Sequence, residues 1–339
     1  MIQIIKAFSK ALMFAALVLT VNLHADEPVE EIVVKGKVLY SDQVKALKTP
    51  TAIIDVPQSL SIVTDEDIRK QGIREIGDII RYTPGVNTSQ GEGHRDAVVF
   101  RGVRSTADFF QDGVRDDVQY YRSLYNIEQV EVLRGPNALL FGRGGTGGIL
   151  NRVTKKAQIG EQFGSFDLGA DDFGAFDFAA DYNTSTGDNT ALRLNIHSDT
   201  LENHRDFFDG DRVGFNPTVR IQMSDRTTLD LSYEYADHER FIDRGIPTAN
   251  GQPVEALKDV VFGTSDLNLT TLEADIFRGT LTSDLSDTSK AIFTLTSSEF
   301  EKMYKNLYAS GYDLTTNVVT LDGYYLSLIH ISEPTRRRG

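Results

Sequence analysis

From about Gln162 onward, apolar residues recur at every second position, and the positions between them are polar or charged. Phe176, Phe178, Ala180 and Tyr182 share one face of such a run, with Asp177, Ala179 and Asp181 on the other. Leu192, Leu194 and Ile196 repeat it against Arg193, Asn195 and His197. Val219, Ile221 and Met223 follow, then Leu229, Leu231, Tyr233 and Tyr235 against Asp230, Ser232, Glu234 and Ala236. Phe277, Gly279, Leu281, Phe293 and Leu295 continue it less regularly. A period of two places successive side chains on opposite faces of a strand, so this stretch reads as about seven or eight strands, each apolar on one side.

Strands that are apolar on one face and charged on the other suit a barrel wall with lipid outside and water inside. The connections alternate as well. Ser224-Asp225-Arg226-Thr227 and Ser286-Asp287-Thr288 are short turns, whereas His238–Thr270 is a long loop. Short turns at one end and long loops at the other are the mark of a transmembrane barrel. On periodicity alone, a soluble β-sandwich satisfies the same pattern.

The start of the chain favours the barrel. Lys6 and Lys10 precede the apolar run Ala11–Val21, and Leu23-His24-Ala25 then leads into Asp26-Glu27. This is the layout of a secretory signal peptide over residues 1–25, with Leu23 bulky for its place ahead of the cut. Nothing downstream approaches the ~20 apolar residues a spanning helix needs. An exported chain without such a helix is either soluble outside the cytoplasm or a β-barrel. With no cysteine, the chain has no disulfide framework or thiolate metal site. A net charge of −14 argues against nucleic acid held on a broad basic surface.

Residues 26–48 are polar apart from Ile32-Val33-Val34, set between Glu30-Glu31 and Lys35. This run has no element of its own to be buried against. It is either part of a disordered tail or a strand waiting for a partner's sheet edge. From Thr49 to Lys156 the chain reads as an α/β unit. Ser59–Val63 alternates as a strand, and Thr64-Asp65-Glu66-Asp67 offers a helix cap with acidic first-turn residues. Ile68, Ile76, Ile79 and Ile80 supply apolar helix faces, which Tyr82-Thr83-Pro84-Gly85 ends. Ala97–Phe100 and Gln129–Leu133 are further strands, each followed by Arg-Gly.

Sites of chemistry are hard to find. Gly142–Gly148 is glycine-rich but lacks the Gly-Lys-Ser/Thr ending and following helix of a phosphate loop. His94, His197, His204 and His238 show no ligand spacing, and Asp116-Asp117 is expected to be a solvated pair. No Ser-His-Asp arrangement stands out, so the chain is read as a non-enzyme.

Ordered motifs across residues 49–156 resemble the plug domain of TonB-dependent outer-membrane receptors. They are Val56-Pro57-Gln58-Ser59, Tyr82-Thr83-Pro84-Gly85-Val86, Phe100-Arg101-Gly102 and Asp112-Gly113-Val114-Arg115-Asp116. Ile127 through Pro136, Phe141-Gly142-Arg143-Gly144 and Gly148 through Lys156 complete the set. The resemblance implies an α+β plug inside an antiparallel transmembrane barrel of about 22 strands, with residues 157–325 supplying its first part. A sheet of this length leaves raw edges, so the 339-residue product is expected not to transport by itself.

The same resemblance makes residues 31–36, with Glu31, Ile32, Val33 and Val34, a TonB box that pairs with TonB, which works with ExbB and ExbD. The short stretch between Ala25 and the plug leaves no room for a signalling domain, which implies a plain importer. The wording of Asp112–Asp116 and Gly142–Gly144 is most similar to the ferric-siderophore branch. No resident cofactor is implied, because iron arrives as cargo inside its chelate; the other partners are outer-membrane lipid and no nucleic acid. Cobalamin, haem, a nickel chelate or an oligosaccharide are alternative cargoes, and a passive surface receptor or adhesin is an alternative of another class. A ferric chelate asks for aromatic surfaces and Arg donors. Matched to the pattern, the plug-apex candidates are Arg104 and Tyr121, then Arg95, Phe109, Tyr120 and Arg122. Arg101 and Arg134, at strand ends, correspond to arginines that clamp the plug to glutamates of the barrel.

Leu326 through Arg336 shows no alternation that belongs with the strands before it, and residues 326–339 resemble a translated sequencing adapter. The wall is therefore expected to stop at Tyr325.

Overall fold

The computed structural model describes residues 43–47, 51–137, 141–142 and 145–332. The expected signal peptide, the Glu31–Val34 run and the end of the tail lie outside them.

The N-terminal unit opens with β1 (Gln43–Val44), antiparallel to β2 (Thr51–Ala52). β3 (Ser59–Thr64) runs directly into α1 (Asp65–Lys70). Thr64 Oγ1 accepts the Asp67 amide, and the Asp67 carboxylate accepts the Thr64 amide, each at 3.2 Å. This reciprocal cap satisfies two helix-end donors where the sequence placed it. α2 (Ile76–Arg81) buries Ile76, Ile79 and Ile80. β4 (Val86–Thr88), β5 (Val98–Phe100) and β6 (Val103–Ser105) form a small antiparallel sheet.

β7 (Phe109–Gln111), β8 (Val114–Arg115), β9 (Ile127–Arg134) and β10 (Gly148–Thr154) join β3 in a five-stranded sheet ordered β3-β9-β10-β7-β8. β10 pairs antiparallel with β9 and parallel with β7. The core lies between this sheet and the helices, around Ile79, Phe100, Phe109, Ile127, Val132 and Leu150. β10 is buried at every position, so its sequence lacks a period of two and is not readable as a strand. Gly148 starts it because a Cβ there would fall 2.6 Å from the Leu133 carbonyl oxygen.

The wall is one eight-stranded antiparallel sheet with an edge at either side. It comprises β11 (Phe163–Ala170), β12 (Phe176–Gly187), β13 (Thr190–Glu202), β14 (Asp209–Ser224) and β15 (Thr227–Phe241). After a loop containing the hairpin β16 (Thr248–Ala249) and β17 (Gln252–Pro253), it continues with β18 (Leu269–Ser286), β19 (Ser289–Asp313) and β20 (Val318–Ser332). Residues 188–189, 225–226 and 287–288 turn the chain at one end. Residues 171–175, 203–208, 242–268 and 314–317 connect strands at the other.

Two expectations change here. The long loop is residues 242–268 rather than 238–270, because β15 and β18 stay paired from Thr227–Ser283 to Phe241–Leu269. The wall also does not stop at Tyr325: β20 continues to Ser332, paired with Ser298 of β19. Pairing runs through backbone groups, and Leu328, Ile329 and Ile331 are compatible with a strand whatever the origin of that segment.

Polar residues face inward and are buried against the N-terminal unit, among them Arg193, Asn195 and His197. Outward, Phe277, Leu281, Leu285, Phe293 and Leu295 are exposed. Nearer the long-loop end the same outward positions become acidic. Asp211 opposes Glu239, Asp237 opposes Glu273, Glu273 opposes Glu301 and Asp275 opposes Glu299. Like charges paired across strands repel, which water can screen and hydrocarbon cannot.

Ion pairs join the inner unit to the wall. Asp112 accepts from Arg278 at 2.6 Å, Glu75 from Arg240 at 3.1 Å, and Lys155 meets Asp181 at 3.1 Å. Arg74 contacts Asp177. Burial works against ionising Asp112, yet Arg278 and the Thr154 amide and hydroxyl hold its carboxyl below the ordinary carboxylate range. Among the described residues no helix is long and apolar enough to cross a membrane.

Candidate ligand-binding site

At the long-loop end, the loop after β4 and the segment before β9 rise against the inner face of β15, β18 and β19. Three of the expected ligand contacts prove to be internal. Arg122 is 1% exposed, with its guanidinium 3.9 Å from the Phe109 ring centroid and 4.6 Å from that of Tyr120. It donates to Asp116 at 2.7 Å, to Asp96 at 3.4 Å, and to the carbonyls of Val118 at 2.7 Å and Tyr120 at 3.1 Å. Arg152 approaches Asp116 at 2.9 Å from below. Phe109, Tyr120 and Arg122 therefore brace the apex loops from within and offer no surface to a ligand.

Asp116, expected in solvent, is likewise buried; only Asp117 beside it is exposed. Burial opposes its charge, but Arg122 and Arg152 together hold its carboxyl low. Asp96 has a weaker claim on Arg122, and burial pushes it up to about 6.

Arg95 and Tyr121 do reach the junction. Tyr121 lies under the Arg240 guanidinium, 4.1 Å from it, and burial raises its hydroxyl to about 12. Arg95 meets Glu92 at 3.4 Å, while its Nε and Nη1 are buried without a hydrogen-bond partner. Arg104 is exposed on β6, level with Val99 of β5. Arg101, in a left-handed turn with φ 48°, lies beside Arg134, which donates to the hydroxyls of Ser59 at 2.9 Å and Ser61 at 2.8 Å. Neither clamp arginine has a carboxylate partner among the described residues.

Sequence reading missed the wall's share of the site. Lys302 of β19 donates to the carbonyl of His94 at 3.1 Å and to that of Gln119, and lies 2.7 Å from His94 Nδ1. The His94 ring stacks on Tyr304 at 3.8 Å, and its Nε2 is 3.0 Å from Glu92. Further along the same inner face, Tyr308 stacks on Tyr324 of β20 at 5.6 Å. Arg244, from the long loop, lies 3.8 Å from the Tyr308 ring and donates to Asn306 at 3.3 Å. Asn306 is 2% exposed and its Nδ2 has no partner. The alternation Phe300-Lys302-Tyr304-Asn306-Tyr308 is the sequence signal that would have exposed this row. Unsatisfied donors are rare in protein interiors, and each calls for an explanation. Those of Arg95 and Asn306 lie inside the junction; it is Arg244, over the faces of Tyr308 and Tyr324, that suits an oxygen-rich, electron-rich ligand.

His94 yields a pH prediction. Burial and the neighbouring Lys302, against the opposing pull of Glu92, lower it to about 4, and Arg95 adds to the lowering. A histidine held below its unfolded value of 6.5 stabilises its surroundings in full above pH 6.5, and loses this as pH falls toward 4. Going from pH 7 to 5, the His94 share of the docking of residues 89–96 should weaken by about 2 kcal/mol, offset in part by Asp96, which takes up a proton over the same range. Amide exchange of that loop measures it as the difference between wild type and His94→Gln, which separates the histidine from the opposing titration of Asp96.

Residues 52–149 match the family model of the TonB-dependent receptor plug domain. The probable TonB-dependent receptor BfrD of Bordetella pertussis is 33% identical over 205 residues, covering 59% of this chain and 28% of its own length. The probable TonB-dependent siderophore receptor PiuA of Acinetobacter baumannii is 28% identical over 280 residues, covering 79% of this chain and 37% of its own. This chain thus spans about a third of the length of these curated relatives. The crystal structure of PiuA superposes with a TM-score of 0.74 at 25% identity, over 79% of this chain and 40% of that one. The open form of the ferric-catecholate import receptor Fiu from Escherichia coli K12 gives 0.74 at 21% identity, over 83% and 45%. Residues 52–149 thus carry a plug domain of the TonB-dependent receptor type, ion-paired to the inner face of an antiparallel wall, and over both parts the chain is similar to proteins named as TonB-dependent receptors.

Proposed function

We propose that the protein is an outer-membrane receptor that binds a ferric siderophore at the cell surface and passes it inward with energy drawn from TonB. The observation that carries this reading is the Arg244 guanidinium, set over the stacked Tyr308 and Tyr324 where the long loop meets β19 and β20. A ferric chelate presents hard, negatively polarised oxygens inside an organic shell. Arg244 and Arg95 match the oxygens, and Tyr304, Tyr308 and Tyr324 match the shell. PiuA, named a siderophore receptor, and the ferrioxamine B receptor of Salmonella typhimurium, 30% identical over 215 residues, support the same cargo class.

On this reading the chain makes and breaks no bonds, and its work is a change of affinity between states. Residues 1–25 direct export, Glu31–Val34 add as a strand to TonB, and Arg101 with Arg134 await glutamates of the completed barrel. Titration of the full-length receptor with a ferric tris-catecholate and a ferric trihydroxamate tests it. Arg244→Ala should weaken the preferred chelate by roughly 10- to 100-fold and Arg95→Ala by about 10-fold. Wild-type affinity for both chelates in both variants would remove this site from the proposal.

A further inference from the structure

Glu131 sits on β9 with its side chain sealed from solvent. Its Oε1 accepts the backbone N–H of Lys45 at 2.6 Å, and its Oε2 accepts that of Ala46 at 2.6 Å. The Nε2 of Gln129 at 2.7 Å and the Nδ2 of Asn151 at 3.0 Å complete its shell. Beside it, Val44 and Ala46 are buried against Phe110, Leu133 and Ile149. Apart from this grip, the backbone of residues 43–47 is tied only through the two-residue pairing of β1 with β2, among the described residues. A buried carboxylate that spends two acceptors on consecutive main-chain amides is positioning that stretch of chain. Burial raises the Glu131 carboxyl, so its charge depends on keeping those donors.

We propose that Glu131 is a positioning residue that holds residues 43–47 against β9 as a detachable clasp, which gives way first when the chain ahead of Gln43 is pulled. This rests on reading Glu31–Val34 as the point where the pull is applied. From Val34 to Lys45 the chain can extend to no more than about 40 Å, so little slack separates the two. The two amide bonds are made to one side chain, so they share no ladder with β9 and can part without unpairing the sheet. Once they part, the carboxylate loses half its donors beside Phe110, Leu133 and Ile149. A pull outside the plug is thereby felt at the strand that ends in Arg134.

Glu131→Gln in the full-length receptor keeps the shape but offers one oxygen and one donor, so one of the two amides faces an N–H. Amide exchange at residues 43–47 should rise about 10- to 100-fold, with Val130, Val132 and residues 149–153 changing less than about twofold and chelate binding unchanged. Unchanged exchange at 43–47, or a parallel rise across β9 and β10, would show Glu131 to be a plain core support and overturn the proposal. A second variant joins Gln43→Cys to Ala52→Cys, directly opposed in register and without competing cysteines. Oxidised, it hands the pull to residue 52 and leaves the clasp shut; uptake should stop, binding persist, and a reductant restore import. Wild-type uptake by the oxidised form would overturn the clasp. Uptake that ignores deletion of Glu31–Val34 would instead overturn the TonB reading, with the exchange result standing on its own.

Discussion

Arg122→Leu should cost the plug apex about 3–5 kcal/mol, the largest stability loss expected of any single substitution here. The change removes one cation from a buried set containing Arg122, Arg152, Asp96 and Asp116, and leaves two carboxylates with Arg152 alone. It also releases the carbonyls of Val118 and Tyr120 and takes the guanidinium from between Phe109 and Tyr120. Amide exchange over residues 112–123 should speed up by about two to four orders of magnitude, at roughly tenfold per 1.4 kcal/mol. Asp96→Asn placed on Arg122→Leu should recover part of the loss, since it removes one stranded charge. A change below about tenfold would mean that water reaches Asp116 and that the network is peripheral.

The second large effect is functional. Deleting Glu31–Val34 should reduce uptake of the chelate to background while leaving its surface binding within about twofold of wild type. Nothing at the candidate site depends on those residues, because Arg95, Tyr121, Arg244 and the tyrosine row are held by the apex loops and β19. Import needs a handle, however, and an apolar run flanked by charges is suited to strand addition. Equilibrium binding and accumulation of radioactive iron, measured on the same cells, separate the two quantities. Unimpaired accumulation would assign the protein to passive capture.

Much of this architecture was legible because it follows local rules. The Thr64 cap, the isoleucine faces of α1 and α2, and the alternation of the wall each need only a few neighbouring residues. β10 was illegible for a physical reason: it is buried on both faces and has no periodicity to show. The candidate site was legible by half. Motif position named Arg95 and Tyr121, which reach the junction, but the same reasoning could not tell them from Arg122. An arginine bound for solvent and one bound for a buried ion network look alike until Asp96 and Asp116, distant in sequence, are brought to it. The inward row of β19 is visible as an alternation, but its meeting with Tyr324 and Arg244 needed the register of β19 with β18 and β20, which no local pattern supplies.

The acidic pairs on the outer face of the wall also fix how deep the protein can sit. On the proposed outer-membrane reading, carboxylates opposed at Asp275–Glu299, Asp237–Glu273 and Glu273–Glu301 mark a waterline, lowest at Asp275–Glu299, above which hydrocarbon cannot rise. Lys302 is level with Leu272, three residues above Asp275, so on that reading the floor of the candidate site lies above the membrane's outer surface. Tyr308, farther along the same strand, stands about 15 Å higher, at about 3.3 Å per residue and a tilt near 40°. A chelate captured there never enters the bilayer. Its on-rate should answer to ionic strength and be indifferent to lipid composition.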